Sequence, residues 1–234
     1  MHRLILLPGL ACDDALWRDQ LPHLRALGEV EVADVHARFD SLPAMAAALL
    51  AEQDPDADFA LAGSSMGGML AFELWRQAPE RVRGLALLGT TARPDTPELI
   101  ALRTSACALY AQGRMDEVLR PNVMFAFHPR NAADKAMVGD YLAMMARAGA
   151  QQLIRQNRAV MARPDNRPLL AEVTCPTLGV GGEADALTAP DCLREIAAGI
   201  AGAQLHLLED AGHLLTWESP ARVTALLADW WCAL

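Results

Sequence analysis

The sequence predicts an α/β fold, a doubly wound and mostly parallel sheet with one helical insertion. Short apolar runs that do not alternate with polar residues recur along the chain, as is typical of strands buried on both faces of a parallel sheet. Helical patterns lie between these runs, and this alternation indicates right-handed βαβ units. Hydrophobic residues make up 53% of the 234 residues, enough for a sizeable core.

Apolar runs that stop at Gly or Pro are the predicted strands. Five of them cover residues 4–7, 59–62, 85–88, 177–180 and 205–208, and a weaker sixth covers residues 30–35. Between them, Met66, Leu70 and Leu74 share one face of a predicted helix. Ser219 and Pro220 form an N-cap followed by proline at the first helical position, which predicts a last helix from there.

Residues 92–170 depart from the alternation of strands and helices, because they carry helical patterns and no convincing strand. Prolines open and close the stretch, and it is rich in methionine. We expect residues 1–91 and 171–234 to form the core domain, with residues 92–170 as a helical cap inserted over one end of the sheet. The methionines either fill the insertion's own core or line a pocket, since flexible Met side chains suit both.

Composition excludes several classes of partner. The formal net charge of −9 and the pI near 5.1 disfavour nucleic acid and anionic membranes, whose phosphates an acidic surface repels. No apolar run is long enough to span a membrane. We therefore expect a small molecule as the substrate. We also expect the protein to be a monomer or a homodimer.

The cysteines indicate a reducing compartment. Their number, five, is odd, and no CxxC occurs, which argues against both a disulfide framework and a zinc site. We predict a cytoplasmic protein in which each cysteine is a small buried hydrophobic residue.

The strongest motif is Gly63-Ser64-Ser65-Met66-Gly67, directly after one predicted strand and opening a helix. This is the G-x-S-x-G nucleophile elbow in its strand–turn–helix context. Glycine is required at both flanks because a Cβ there would collide with neighbouring chain. The turn predicts Ser65 as an exposed nucleophile, with the Met66 N–H facing an oxyanion.

A serine hydroxyl needs a base, and His213 is the predicted one. It follows the predicted strand 205–208 and precedes the last helix. His206 lies inside that strand, whereas His23 and His36 belong to early surface elements. The remaining histidines are His2, at the terminus, and His128, in the insertion.

The acid that orients the base should follow the strand 177–180. Asp185 ends the next turn, and we prefer it to Glu183, which precedes it by two residues. Asp191 falls inside the next helix, and Asp210 should point along its own turn. A carboxylate at this position fixes the imidazole tautomer and stabilises the imidazolium.

A second oxyanion donor should come from the loop after the first strand, where Gly9 lets the backbone approach a substrate. We predict the Leu10 N–H as this donor. Leu10, Ser65, Asp185 and His213 each lie just beyond the carboxyl end of a predicted strand, the edge at which open parallel sheets bind ligands. Motifs that agree on one edge support one another.

The chain resembles the α/β-hydrolase superfamily over nearly its whole length. The residues that carry this resemblance are Leu7-Pro8-Gly9, Gly63-Ser64-Ser65-Met66-Gly67-Gly68, Gly182-Glu183-Ala184-Asp185 and Gly212-His213. It is most similar to small bacterial esterases and enol-lactonases, and that similarity implies a cap that lies over the nucleophile. Many members have His-Gly where this chain has Pro8-Gly9, so the hydrogen bonding of this loop must differ.

The resulting hypothesis is a serine hydrolase that cleaves a small, apolar or moderately polar ester or lactone through an acyl-enzyme. The same triad also serves C–C bond hydrolysis or a proton-abstracting lyase. A third alternative, from another class, is a non-catalytic ligand receptor. We expect no cofactor and no metal, because the chain has no G-x-G-x-x-G, P-loop or H-E-x-x-H motif.

Overall fold

A parallel six-stranded sheet organises the structure, a computed structural model that describes residues 3–234. The strands are β1 (Arg3–Leu7), β2 (Val30–Val32), β3 (Phe59–Ser64), β4 (Val82–Leu88), β5 (Thr177–Gly182) and β6 (Gln204–Leu208). Their spatial order is β2-β1-β3-β4-β5-β6, and every neighbouring pair is parallel. The predicted fold class is confirmed. His2, which we judged terminal, lies outside the described residues.

Ten α-helices accompany the sheet in residues 3–234. They are α1 (Leu21–Leu27), α2 (Val35–Arg38), α3 (Leu42–Glu52), α4 (Met66–Gln77), α5 (Pro97–Ala111), α6 (Asp116–Ala126), α7 (Lys135–Met161), α8 (Pro190–Gly199), α9 (Leu215–Glu218) and α10 (Pro220–Cys232). Short 3₁₀ turns cover Asp14–Trp17, Pro79–Arg81, Asn131–Ala133 and Pro168–Glu172. Helix α7 is broken at Gly149, which has φ 74° and ψ 168°.

Two apolar layers cover the two faces of the sheet. Within β1, Leu4 and Leu6 belong to one buried cluster, and Ile5 and Leu7 belong to the other. Successive strand side chains point to opposite faces, so a strand that is apolar at every position needs helices on both sides. Helices α1 and α10 contribute to the first cluster, whereas α3, α4 and α8 contribute to the second.

The structure corrects two expectations. The run at residues 30–35 is a strand only to Val32, because Asp34, a residue that favours helix starts over strands, precedes α2. Cys12, Cys107 and Cys192 are buried as expected. By contrast, Cys175 is half-buried and Cys232, at the end of α10, is exposed, so not every cysteine fills the core.

The chain between β4 and β5 is helical and has no strand among its residues, all of which lie in the described part. We call residues 92–170 the cap segment. Its interior holds Met144 and Met145, and Phe127 packs edge-on against Tyr141 with ring centroids 5.5 Å apart. Met124 and Phe125, at the end of α6, are instead exposed.

No helix within residues 3–234 combines the length and the apolar character needed to cross a membrane. Within the same residues, no group of three or more His, Cys, Asp or Glu side chains is arranged to hold a metal ion.

We expect Phe72→Ala to lower the free energy of unfolding by about 3–5 kcal/mol, because it removes a large side chain that is 0% exposed in the layer over β3 and β4. Phe125→Ala is the matched control, since Phe125 is 50% exposed, and its effect should stay within about 0.5 kcal/mol. Urea unfolding measures both. Equal losses in the two variants would contradict the packing described here.

Candidate active site

The predicted nucleophile, Ser65, is a single residue between β3 and α4. Its backbone has φ 52° and ψ −114°, a conformation that non-glycine residues rarely adopt. The N–H of Ser65 donates to the Leu88 carbonyl at 2.8 Å, and the Thr90 hydroxyl donates to the Ser65 carbonyl at 2.7 Å. The end of β4 therefore holds this strained turn in place.

Steric crowding explains the two glycines that flank the turn. A Cβ at Gly63 would overlap the backbone of Gly67, and a Cβ at Gly67 would overlap the Leu7 carbonyl. These contacts are with backbone, which cannot swing aside, so larger residues would force the turn open. Met66 is the first residue of α4, and its N–H has no carbonyl of the preceding helical turn to bond.

Asp185 and His213 form a buried pair. The Nδ1 of His213 lies 2.8 Å from Oδ2 of Asp185, whose side chain is 1% exposed. Oδ1 of Asp185 accepts the N–H groups of Leu187 and Thr188, each at 2.8 Å, and the Thr188 hydroxyl donates to Oδ2 at 2.8 Å. Because the carboxylate accepts at Nδ1, that nitrogen carries the proton and Nε2 is left as the basic nitrogen.

The pair shifts the pKa of both partners toward their charged forms. Burial alone would raise the pKa of Asp185, but the His213 charge and the hydrogen bonds from His213 and Thr188 hold it below its usual value. Burial alone would lower the pKa of His213, but Asp185 raises it above its usual value, and the Glu218 charge adds to this. The Arg103 charge opposes that rise.

Residues 88–90 connect the pair to the elbow. Leu88 and Thr90 bond to the backbone of Ser65, as described above. Gly89, between them, faces the pair: a Cβ there would lie 3.3 Å from Oδ2 of Asp185 and 3.4 Å from Nδ1 of His213. The three residues predicted as nucleophile, acid and base are thus gathered around the end of one strand.

The loop after β1 lies against Ser65, the predicted nucleophile. A Cβ added at Gly9 would lie 3.4 Å from the Cβ of Ser65. Leu10, whose N–H is the predicted second oxyanion donor, follows Gly9 and is half-buried. Next, Ala11 has φ 58°, a left-handed conformation that is uncommon for alanine.

Two buried side chains hold this loop. Oε1 of Gln156, on α7, accepts the Ala11 N–H at 2.6 Å, and its Nε2 donates to the His36 carbonyl at 2.8 Å. Nε2 of His36 donates to the Cys12 carbonyl at 2.7 Å. His36 is 4% exposed, so our placement of it on a surface element was wrong. Gln156 and His36 supply hydrogen bonds to the loop in which Pro8 replaces the more common histidine.

Glu218 joins the His213 loop to the cap segment. One carboxylate oxygen accepts the Gly212 N–H at 2.9 Å. The other accepts the His128 N–H at 2.6 Å and the Asn131 amide at 2.9 Å. The Ala126 carbonyl, at the end of α6, accepts the N–H groups of His213 and Leu214 at 3.1 and 3.2 Å. The backbone of the predicted base is therefore bonded directly to the cap segment.

The structure places the rejected acids away from this pair. The side chain of Glu183 is 45% exposed and lies 3.8 Å from Arg194. Asp191 is an exposed residue of the first turn of α8 and pairs with Arg194. Asp210 is exposed and pairs with Arg130 at 3.0 Å. Of the four carboxylates considered, Asp185 alone contacts His213.

Sequence reasoning missed Gln156 and Glu218. Gln156 is 145 residues from the Ala11 N–H that it accepts, and no local pattern marks such a partner. Glu218 follows Gly212 by six residues. A carboxylate so soon after the predicted base was the one sequence signal for an acceptor of the Gly212 N–H. No local pattern predicts its hydrogen bonds to Asn131 and His128 of the cap segment, which are 87 and 90 residues away in the sequence.

Comparisons with known proteins find relatives that are named as hydrolases. The chain is 27% identical to a pimeloyl-[acyl-carrier protein] methyl ester esterase of Neisseria meningitidis serogroup B, over 91% of this chain and 86% of that protein. It is 30% identical to a 2-hydroxy-6-oxononadienedioate/2-hydroxy-6-oxononatrienedioate hydrolase of Klebsiella pneumoniae, over 68% of this chain and 57% of that protein.

Two solved structures share the fold. A thermophilic esterase from Thermogutta terrifontis superposes with a TM-score of 0.90 at 25% identity, over 100% of this chain and 90% of that one. The enol-lactonase from Burkholderia xenovorans LB400 superposes with a TM-score of 0.89 at 21% identity, over 99% of this chain and 91% of that one. The Hydrolase_4 family model, described as serine aminopeptidase S33, matches residues 29–220. The chain belongs to this hydrolase family of the α/β-hydrolase superfamily.

Proposed function

We propose that this protein hydrolyses small carboxylic esters or lactones through an acyl-enzyme formed on Ser65. The observation that carries the proposal is the buried Asp185–His213 pair against the same strand end that fixes the Ser65 elbow. The esterase of N. meningitidis and the esterase of T. terrifontis support the reaction class. Peptide-sized or polymeric substrates fit poorly beneath a helical cap, so the substrate is small.

The proposed mechanism assigns each proton. Nε2 of His213 takes the proton of the Ser65 hydroxyl as the oxygen attacks the substrate carbonyl. The N–H groups of Leu10 and Met66 stabilise the oxyanion, and the imidazolium, held by Asp185, gives its proton to the leaving alcohol. Water then loses a proton to His213 and attacks the acyl-enzyme, and His213 returns that proton to the Ser65 oxygen as the acid leaves.

C–C bond hydrolysis is the second candidate. The relative from K. pneumoniae is named as a hydrolase of oxo-dienedioates and supports this alternative. A cytoplasmic location is part of the proposal, since no cysteine of residues 3–234 is paired in a disulfide and a reducing compartment keeps thiols free.

The first prediction tests the nucleophile. A fluorophosphonate should label Ser65, because its tetrahedral phosphorus resembles the acyl-transfer intermediate. Ser65→Ala should lose both labelling and esterase activity, whereas Ser105→Ala, a surface change on α5, should keep both. Peptide mass mapping locates the adduct. An adduct on another serine in active protein would overturn the assignment.

The second prediction tests the acid. Asp185→Asn should lower kcat by several orders of magnitude, because the amide no longer holds the His213 tautomer or stabilises its charge. Glu183→Gln, at an exposed carboxylate two residues earlier, should leave kcat nearly unchanged. Steady-state rates with p-nitrophenyl acetate compare them. A larger loss in the Glu183 variant would make our choice of acid wrong.

The third prediction concerns pH. The base must be unprotonated, so kcat/KM should rise with pH through the pKa of His213, which lies above its usual value near 6.5. Glu218→Gln removes a negative charge that raises this pKa, so the rise should move to lower pH. Glu172→Gln, at an exposed position, is the control and should not move it. An unchanged midpoint in the Glu218 variant would show that its charge does not act on the base.

A further inference from the structure

Helix α7 of the cap segment carries a buried glutamine that reaches the loop after β1. Gln156 lies on α7 after the break at Gly149 and is 0% exposed. Leu153 and Val160, on the same side of the helix, are buried in the two apolar clusters that cover the sheet. An amide among such neighbours must have its hydrogen bonds satisfied, so its partners indicate what it does.

Both ends of the Gln156 amide bond to backbone groups. Oε1 accepts the Ala11 N–H at 2.6 Å, and Nε2 donates to the His36 carbonyl at 2.8 Å. The reverse orientation would set an NH₂ group against an N–H and an oxygen against a carbonyl, so the two partners fix which way the amide points. The His36 ring in turn donates to the Cys12 carbonyl at 2.7 Å. Gln156 therefore holds residue 11 directly and residue 12 through His36.

The loop that these bonds hold contains a tight turn. The Cys12 N–H donates to the Gly9 carbonyl at 3.1 Å, which makes Leu10 and Ala11 the two central residues of the turn. Ala11, the second of them, has φ 58°. This is the pattern of a type II turn, in which the second central position favours glycine because a Cβ there is strained. Alanine therefore keeps this turn only while other contacts hold it.

The bond from Gln156 to the Ala11 N–H decides which turn the loop forms. That N–H belongs to the peptide unit between Leu10 and Ala11, and reversal of this unit converts a type II turn into the more common type I turn. A type I turn needs no positive φ, so alanine favours it. The reversed unit would bring its carbonyl toward Oε1 of Gln156, where two acceptors would meet. The amide cannot turn to donate to that carbonyl without losing its bond to His36.

The turn begins in contact with the predicted nucleophile. A Cβ at Gly9, the first residue of the turn, would lie 3.4 Å from the Cβ of Ser65. Packing against the elbow therefore holds the start of the turn, and Gln156 holds its end. Leu10, whose N–H is the predicted second oxyanion donor, lies between these two restraints. A change of turn type alters the ψ of Leu10, and it therefore shifts the backbone around that donor.

We propose that Gln156 is a positioning residue for the reaction at Ser65, because it selects the turn that presents the Leu10 N–H to the oxyanion. The inference rests on the proposed hydrolysis at Ser65 and adds a requirement to it: α7 must be docked on the loop before the oxyanion is stabilised. Acylation and deacylation each pass through an oxyanion, so both steps depend on this turn. Binding of the substrate before attack does not.

The test replaces the amide by an apolar side chain of similar size. In Gln156→Leu, we expect kcat for p-nitrophenyl acetate to fall by about tenfold to a hundredfold, because the predicted oxyanion donor is displaced but not deleted. KM should stay within about twofold of the wild-type value, since the missing interaction is one that only the transition state makes. Rates are expressed per folded molecule, counted by complete fluorophosphonate labelling.

Further variants separate positioning from stability. Gln156→Glu keeps an oxygen for the Ala11 N–H, and burial keeps its carboxyl neutral and able to donate to the His36 carbonyl, so it should retain more of kcat than Gln156→Leu. Gln151→Leu, at an exposed position of the same helix, should keep the wild-type kcat. If Gln156→Leu does not fold, Gln156→Asn takes its place with the same expected result, because the shorter side chain cannot reach both partners.

Inhibition by phenylboronic acid gives a readout that a loss of stability alone would not move. Its adduct with Ser65 is tetrahedral and negatively charged, so its inhibition constant should rise in Gln156→Leu by about the factor by which kcat falls. An unchanged inhibition constant, an unchanged kcat per folded molecule or a change in KM alone would overturn the inference while leaving hydrolysis at Ser65 intact.

A wild type that cleaves no ester would instead remove the proposed function, and the rate of fluorophosphonate labelling at Ser65 would then decide the role of Gln156. Labelling that is about tenfold slower or more in Gln156→Leu would support the positioning role, because the phosphoryl oxygen uses the same donors. Equal labelling rates, or no labelling of the wild type, would overturn it.

Discussion

The turn that ends β4 is the constraint on which the candidate site depends. The strand order places β4 between β3, which leads into Ser65, and β5, which leads to Asp185. Leu88, the last residue of β4, and Thr90 bond the Ser65 backbone, and Gly89 between them lies against the Asp185–His213 pair. Gly89, with φ 48°, has the left-handed conformation that favours glycine, and a side chain there would crowd the Asp185–His213 pair.

The cap segment is bonded to two loops of the candidate site. The loop after β1 keeps its left-handed turn at Ala11 through Gln156, and the His213 loop is bonded to the end of α6 and to Glu218. Both loops are irregular backbone whose N–H groups need acceptors once buried. A movement of the cap segment would therefore change the positions of the predicted base and of the loop that carries the predicted oxyanion donor together.

The two buried aspartates, Asp185 and Asp95, are stabilised in different ways. Asp185 accepts three hydrogen bonds besides its contact with His213, so its carboxylate is stabilised without a permanent cation. Asp95 is surrounded instead by Arg103 and Arg163, and its charge neutralises only one of them. Since buried charge is costly, Arg163, which is 3% exposed, also bonds the backbone carbonyls of Arg93 and Val160, whereas the side chain of Arg103 is 27% exposed.

The sequence by itself determined five of the strands, part of the sixth and the glycine-flanked turn at Ser65, since apolar runs and such turns act over a few residues. Only the tertiary structure decided how deeply His36 is buried and that Cys232 is exposed. It also decided which groups Gln156, Glu218 and Arg103 hydrogen-bond. The physical reason is that these features depend on how helices dock. Docking joins residues up to 145 positions apart, and no local periodicity records which buried N–H or carboxylate a distant side chain will meet.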